Sequence, residues 1–103
     1  FITSTDDIFE DEVMKLPSAV VQFSAIWCGP CQELKKIMEK VSDEMSDKFK
    51  FYYHDIDSAP NSPTKFGVRG VPTVMIFKNG QLKSTKVGSV PESTMIAWLT
   101  ENA

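Results

Sequence analysis

Two cysteines, Cys28 and Cys31, are the residues of this sequence best suited to chemistry, and the chain has no others. A disulfide that closes so small a loop stabilises a fold by only about 2 kcal/mol before strain is counted, which makes a structural role weak. Two thiols at this spacing can instead exchange with other disulfides. One thiolate attacks a partner sulfur, and the second thiol then attacks the mixed disulfide at a high effective concentration. The spacing therefore predicts a dithiol redox catalyst.

Metal binding is the alternative for a close cysteine pair. A structural zinc site needs four thiolate or imidazole ligands. Besides the two cysteines the sequence offers only His54, which is far along the chain and alone. We therefore expect no metal, and for His54 we expect ordinary packing in a strand or surface exposure without a catalytic role.

The cysteine pair lies between a predicted buried strand and a predicted amphipathic helix. Residues 18–24 (SAVVQFS) are short, mostly apolar and partly β-branched, as in a strand buried on both faces. After the pair, apolar residues recur at three- and four-residue intervals, as on one face of a helix: Leu34, Ile37, Met38, Val41 and Met45. Charged residues fill the other face, which we interpret as solvated: Glu33, Lys35, Lys36, Glu39, Lys40 and Glu44.

This order places Cys28 at the amino end of a helix. The unpaired N–H groups and the positive end of the helix dipole stabilise a thiolate there and lower the pKa of the thiol. Pro30 is compatible with a first helical turn because its missing N–H costs no hydrogen bond at that position. Gly29 leaves the turn free of a side chain.

The remaining segments predict an α/β fold. A helix follows Thr5, and a last helix runs from Pro91 to the end. Between them lie an aromatic-rich strand in residues 49–56, a short or irregular helix in 59–66, and strands in 73–77 and 81–87 joined by an Asn79-Gly80 hairpin. The order β-α-β-α-β-α-β-β-α predicts a mixed central sheet flanked by helices.

Length and charge limit the classes of protein that the chain can belong to. Its 103 residues, with 11 basic and 14 acidic side chains and a formal charge of −3, predict one domain over residues 1–103. The mildly acidic balance argues against binding to nucleic acid or an anionic membrane surface. The apolar runs are far shorter than the roughly 20 residues of a membrane span.

Three short motifs resemble the thioredoxin family. Residues 27–31 (WCGPC) match its active-site signature, residues 71–73 (VPT) its cis-proline loop, and residues 77–80 (FKNG) its late hairpin. The resemblance runs in order from Phe1 to Ala103. It implies one thioredoxin domain, a three-layer sandwich whose mixed central sheet of about five strands is flanked by about four helices.

The resemblance also implies roles for individual residues. Cys28 would be the exposed nucleophile and Cys31 the more buried resolving thiol, with a cis Pro72 facing them. An extended substrate peptide could pair with the backbone of Val71 by strand addition. The substrate groove would be lined by Trp27, Gly29, Pro30, Ile56, Gly70, Val71, Pro72, Val87, Gly88 and Ser89.

Gln22 and Tyr53 depart from the family pattern. Gln22 stands where thioredoxins commonly bury an aspartate, and Tyr53 stands where they carry the accompanying lysine. A glutamine amide cannot accept the proton of the resolving thiol, so water or another group must do so. One interpretation is that the missing negative charge eases ionisation of Cys28 and makes the couple more oxidising. The other is that Gln22 is a hydrogen-bonded core residue with Tyr53 packed over it.

The resemblance implies a general protein-disulfide reductase that acts by dithiol–disulfide exchange through Cys28 and Cys31. It would bind no cofactor beyond this redox-active disulfide, take electrons from an NADPH-dependent thioredoxin reductase, and act as a monomer on proteins with accessible disulfides. Two alternatives stay open: a disulfide oxidase or isomerase in an oxidising compartment, and a binding subunit built on the thioredoxin fold. In this family Gly-Pro between the cysteines is more typical of reductases, so Gly29-Pro30 favours the first function.

The start of the sequence bears on the cellular location. The sequence begins at Phe1 and shows no signal or transit segment. We expect a cytoplasmic protein. The alternative is an organelle matrix, or a secreted or periplasmic location after removal of an unseen N-terminal segment.

Overall fold

A computed structural model describes residues 1–103 and contains five strands and four α-helices. The strands are β1 (Ile2–Ser4), β2 (Ser18–Ser24), β3 (Lys50–Asp55), β4 (Thr73–Lys78) and β5 (Gln81–Val87). The helices are α1 (Asp6–Asp11), α2 (Gly29–Glu44), α3 (Asn61–Lys65) and α4 (Glu92–Glu101), and a 3-10 turn, Val13–Lys15, follows α1. The predicted order of strands and α-helices is confirmed. None of the helices has both the length and the apolar character needed to cross a bilayer.

The strands form one mixed sheet in the order β1-β3-β2-β4-β5. β1, β3 and β2 are parallel, whereas β4 is antiparallel to β2 and β5 is antiparallel to β4. β2 lies in the middle with six of its seven residues buried, which explains its almost continuous apolar sequence. Asn79 and Gly80 turn the chain between β4 and β5 with φ values of 52° and 80°, as the hairpin motif predicts.

Helices cover both faces of the sheet, which gives the three layers expected from the sequence. On one face α2 and α4 pack against β2 and β4 through a core that includes Leu34, Met38, Val41, Met95 and Leu99. On the other face the core is largely aromatic and includes Phe9, Phe23, Tyr52 and Phe77. Because β2 and β4 contribute side chains to both cores, the sheet is fixed on both sides. The carboxyl end of β2, which leads to the cysteine pair, starts from this fixed position.

His54 is fully buried in β3, which confirms the packing prediction. Its Nδ1 lies 2.9 Å from Ser4 Oγ, and its Nε2 lies 2.8 Å from the carbonyl oxygen of Ala59. The same Nε2 is 3.5 Å from Asp6 Oδ1. His54 thus joins β1 and the start of α1 to the loop that precedes α3.

Candidate active site

The cysteine pair lies where the carboxyl end of β2 meets the amino end of α2. Cys28 is the N-cap of α2 and forms a disulfide with Cys31, their Cα atoms being 5.2 Å apart. The backbone N–H of Cys31 donates to Cys28 Sγ at 3.1 Å. Pro30 occupies the first turn, as predicted. A helix-terminal N–H that points at the sulfur stabilises a thiolate once the disulfide is reduced.

The two cysteines differ in solvent exposure, and both are buried. Cys28 is 6% exposed and Cys31 is 0% exposed. The predicted order of accessibility is therefore confirmed, whereas the prediction that Cys28 is exposed is wrong. The cause is the small apolar cluster that the pair forms with Ala25, against which Ile56 and Val71 pack.

Val71 and Pro72 face the disulfide from the loop before β4. Their peptide bond is cis, and the carbonyl oxygen of Val71 lies 3.8 Å from Cys28 Sγ. The N–H of Val71 donates to no acceptor within the chain. The loop is anchored on both sides of it, because Thr73 Oγ1 donates to the carbonyl of Gly70 at 2.7 Å and the N–H of Gly88 donates to the carbonyl of Pro72 at 2.8 Å.

A groove of about 650 Å³ opens beside the pair. It contains five residues of the predicted substrate surface: Pro30, Val71, Pro72, Gly88 and Ser89. Four further lining residues were missed as groove residues: Glu33, Ile37, Val90 and Pro91. The first two follow Pro30 at three and seven residues, a helical spacing that could have placed all three on one face of α2.

The other predicted surface residues lie outside this groove. Ile56 packs against the cysteine cluster, and Gly29 is exposed in the first turn of α2. Trp27, Gly70 and Val87 are exposed; Trp27 and Val87 are each at least 70% exposed. None of these five residues lines the groove itself.

Asp57 holds the indole of Trp27, a contact that the sequence did not indicate. Trp27 Nε1 donates to Asp57 Oδ2 at 2.8 Å, and the N–H of Asp57 donates to Asp55 Oδ1 at 2.9 Å. The two partners are 30 residues apart. Only the parallel pairing of β2 with β3, which brings the ends of these strands to the same edge of the sheet, brings them together.

Gln22 lies behind the disulfide and is fully buried. Its Nε2 donates to Ser24 Oγ at 2.8 Å and to the carbonyl oxygen of Cys31 at 3.1 Å. Its Oε1 is buried and has no partner in the chain. The Nε2 bonds match the interpretation of Gln22 as a hydrogen-bonded core residue, and the bond to Cys31 also links it directly to the redox pair.

Tyr53 neighbours Gln22 in the sheet but is bound to another side chain. The two residues are register partners in β3 and β2. The hydroxyl of Tyr53 accepts from Gln32 Nε2 at 3.3 Å, and the same Nε2 contacts the carbonyl of Ala25 at 3.3 Å. Lys35 Nζ lies 4.7 Å from the centre of the Tyr53 ring. Tyr53 is therefore attached to the first turns of α2.

Two side chains elsewhere in the fold have a shifted pKa. Burial, followed by the charge and hydrogen bond of Glu12, raises the pKa of Tyr52 to about 12. Desolvation raises the pKa of Asp6, but the backbone N–H groups of Ser62 and Asn61 outweigh it and hold that pKa below its ordinary value. No three His, Cys, Asp or Glu side chains converge in a way that could hold a metal ion.

Comparison with known proteins gives one consistent result. The family model described as Thioredoxin matches residues 1–101. The chain is 45% identical over 100 residues to "Thioredoxin" of Rickettsia bellii, covering 95% of this chain and 94% of that protein. It is 41% identical over 99 residues to "Thioredoxin" of Allochromatium vinosum (95% and 92% covered) and 40% identical over 96 residues to that of Rhodospirillum rubrum (92% of each).

Proposed function

Because the chain belongs to the thioredoxin family and is a protein-disulfide reductase acting by dithiol–disulfide exchange, we propose that Cys28 is its nucleophile and Cys31 its resolving thiol. The observation that carries this assignment is the asymmetry of the pair. Cys28 is the more exposed residue and its Sγ accepts the N–H of Cys31, whereas Cys31 is fully buried. An attacking sulfur needs access and a stabilised thiolate, and a resolving sulfur needs only proximity.

The reaction proceeds in two exchanges. The Cys28 thiolate attacks one sulfur of a substrate disulfide, and the other substrate sulfur leaves as a thiolate that takes up a proton. Cys31 then loses its proton and attacks Cys28 Sγ, which releases the second substrate sulfur and forms the Cys28–Cys31 disulfide. Two electrons pass from the dithiol to the substrate, and the oxidised protein has the disulfide that the structure contains.

Substrate segments bind in extended form across Val71. Its unpaired N–H and its carbonyl, 3.8 Å from Cys28 Sγ, are suited to pairing with a backbone strand. Four groove residues support this strand: Pro30, Pro72, Gly88 and Ser89. Four further residues extend the contact around the disulfide: Trp27, Ile56, Gly70 and Val87. Gly29 has no side chain and leaves the approach to Cys28 open. Recognition through backbone and apolar contacts suits many proteins with accessible disulfides.

Gln22 and Tyr53 modulate the reactivity of the pair. The Gln22 amide does not titrate, so the proton of Cys31 passes to water or to the leaving substrate thiolate. Without a buried carboxylate beside it, Cys28 ionises more easily than it would next to a negative charge. Tyr53 acts indirectly, through its hydrogen bond with Gln32 in the first turns of α2.

Membership of the family supports the physiological setting that we propose. An NADPH-dependent thioredoxin reductase returns electrons to the disulfide, and the chain itself binds no cofactor. The protein works as a monomeric single domain over residues 1–103, in the cytoplasm, and its partners are this reductase and disulfide-containing proteins, with no nucleic acid or membrane among them.

Trapping of covalent intermediates tests the assignment of the two cysteines. The Cys31→Ser variant should retain substrates as mixed disulfides on Cys28, because no resolving thiol is present to release them. The matched Cys28→Ser variant should trap none. Equal trapping by both variants, or trapping only by Cys28→Ser, would contradict the assignment. Function that survives when both Cys28 and Cys31 are replaced by serine would favour a binding subunit. An equilibrium with glutathione that favours the reduced Cys28–Cys31 pair and oxidised glutathione would favour an oxidase.

A further inference from the structure

Glu33 gives the groove beside the disulfide a single charge. It lies on α2 between two other groove residues, three residues after Pro30 and four before Ile37, so all three project from one helix face. The other lining residues carry no charge; they are Pro30, Ile37, Val71, Pro72, Gly88, Ser89, Val90 and Pro91. Glu33 is therefore the only charged residue among those that line the groove.

The carboxylate of Glu33 has no compensating cation. None of the ion pairs of the chain includes it. Glu92, which directly follows the groove residue Pro91 in the chain, is paired with Lys40, whose Nζ lies 3.4 Å from Glu92 Oε1. The charge of Glu92 is thus compensated by Lys40, whereas the charge of Glu33 in the groove is not compensated by an ion pair.

A substrate segment in the groove displaces water from Glu33. Desolvation of an unpaired carboxylate is unfavourable unless a cationic group replaces the lost water. Apolar walls also strengthen the field of a charge, because less solvent screens it. A lysine or arginine of the substrate at this position is attracted, and an aspartate or glutamate is repelled. Glu33 would therefore discriminate between substrates by the sign of the charge that they place beside the redox pair.

From this placement we propose that Glu33 is a specificity-determining residue that selects substrate disulfides flanked by a basic side chain. The proposal rests on the proposed function, since it assumes that the substrate backbone pairs at Val71 while Cys28 reacts. Glu33 makes no bond to the reacting sulfurs, so it acts on which substrates are used and leaves the exchange chemistry unchanged.

Reduction of peptide disulfides that differ in one flanking residue tests the proposal. Lysine, glutamine or glutamate is placed at one position after another on either side of the reacting cysteine, and kcat/KM is measured at low ionic strength. At the position that reaches Glu33, the wild type should prefer the lysine peptide over the glutamate peptide by about two- to fivefold, the range of exposed ion pairs. Glu33→Gln should abolish this preference and Glu33→Lys should invert it.

Glu44→Gln is the matched control. Glu44 is also an exposed glutamate of α2, but it is the last residue of the helix and about 16 Å further along it. This variant loses the same charge and should keep the wild-type preference. The preference should also weaken as added salt shortens the screening length to about 8 Å.

Three outcomes would overturn the proposal: no preference in the wild type at any position, a preference that persists in Glu33→Gln, or an equal loss in Glu44→Gln. A small uncharged disulfide serves as the second substrate. Wild type and Glu44→Gln should reduce it at rates within about twofold of each other, because no substrate charge is involved. Failure of every variant to reduce it would refute the proposed function, whereas normal reduction without charge preference would refute only the role of Glu33.

Discussion

Replacing Gln22 by aspartate would place a titratable group directly behind the disulfide. The amide donates to Ser24 Oγ and to the carbonyl of Cys31, and a carboxylate can donate to neither when ionised. The position is fully buried, and burial raises the pKa of a carboxyl group, by up to about 3–5 units in the extreme. The introduced group should therefore titrate near neutral pH.

The size of the effect on Cys28 can be bounded from the contacts. Gln22 Nε2 lies 3.1 Å from the carbonyl oxygen of Cys31, and the N–H of the same residue lies 3.1 Å from Cys28 Sγ. With the backbone of Cys31 between them, a charge at the amide position is within about 10 Å of the sulfur, where two negative charges repel by about 1.7 kcal/mol at an effective dielectric constant of about 20. This energy corresponds to a rise of about one unit in the pKa of Cys28.

Alkylation of reduced protein by iodoacetamide, followed against pH, measures this shift. For Gln22→Asp the midpoint should rise by about one pH unit and the curve should broaden, because two interacting groups titrate together. Gln22→Asn is the control, since it also shortens the side chain but adds no charge, and its midpoint should remain near that of the wild type. Overlapping curves for the wild type and Gln22→Asp would refute the electrostatic role assigned to this position.

Three further predictions concern stability and substrate contact. Gly80→Ala should destabilise the fold by more than about 1 kcal/mol in chemical denaturation, because φ is +80° and the added Cβ would lie 2.5 Å from the backbone oxygen of Met14. Asp6→Asn should cost about 1–2 kcal/mol at pH 7, since a charged acceptor of two backbone N–H groups is lost. Hydrogen bonding lowers the pKa of Asp6 in the folded state. The stability that its carboxylate contributes is therefore present above pH 4 and is lost as the pH falls through the folded pKa. The free energies of unfolding of the wild type and Asp6→Asn should converge in acid. Asp57→Ala releases the indole of Trp27 and should raise KM for a protein disulfide about two- to fivefold, while the rate with a small disulfide changes little; equal effects on both substrates would contradict this.

The sequence predicted the elements well because each carries a local signal. Strand β2 begins and ends at the predicted residues, and the strand predicted in residues 49–56 is shorter by one residue at each end. Periodicity, Thr5 as a cap and the Asn79-Gly80 turn act over a few residues, so they can be interpreted without knowledge of the fold. The resemblance to a family supplied the order of accessibility of the two cysteines and the cis bond at Pro72.

The parts that could not be predicted depend on contacts between distant segments. Glu33 belongs to a run of charges that predicts a solvated helix face, and it lines a groove only because the loop from Gly88 to Pro91 packs alongside α2. The partner of Trp27 lies beyond a different strand. The low exposure of Cys28 likewise depends on Ile56 and Val71, which come from two other loops. Helical spacing could place Glu33 on the same helix face as Pro30, but it cannot reveal which loops pack against that face.

Gln22 shows how the resolving cysteine can be held in place without a buried charge pair. A buried carboxylate that loses its cationic partner costs several kcal/mol, so a neutral residue at one position is best matched by a neutral residue at the other, as with Gln22 and Tyr53. The amide then does what a carboxylate cannot, because it donates a hydrogen bond from β2 to the carbonyl of Cys31 in α2. Its one unpaired oxygen costs less than an unpaired charge would in the same place. The separation of the strand from the reactive helix end is thus set by a neutral hydrogen bond, which is independent of pH, and only the sulfurs need titrate during turnover.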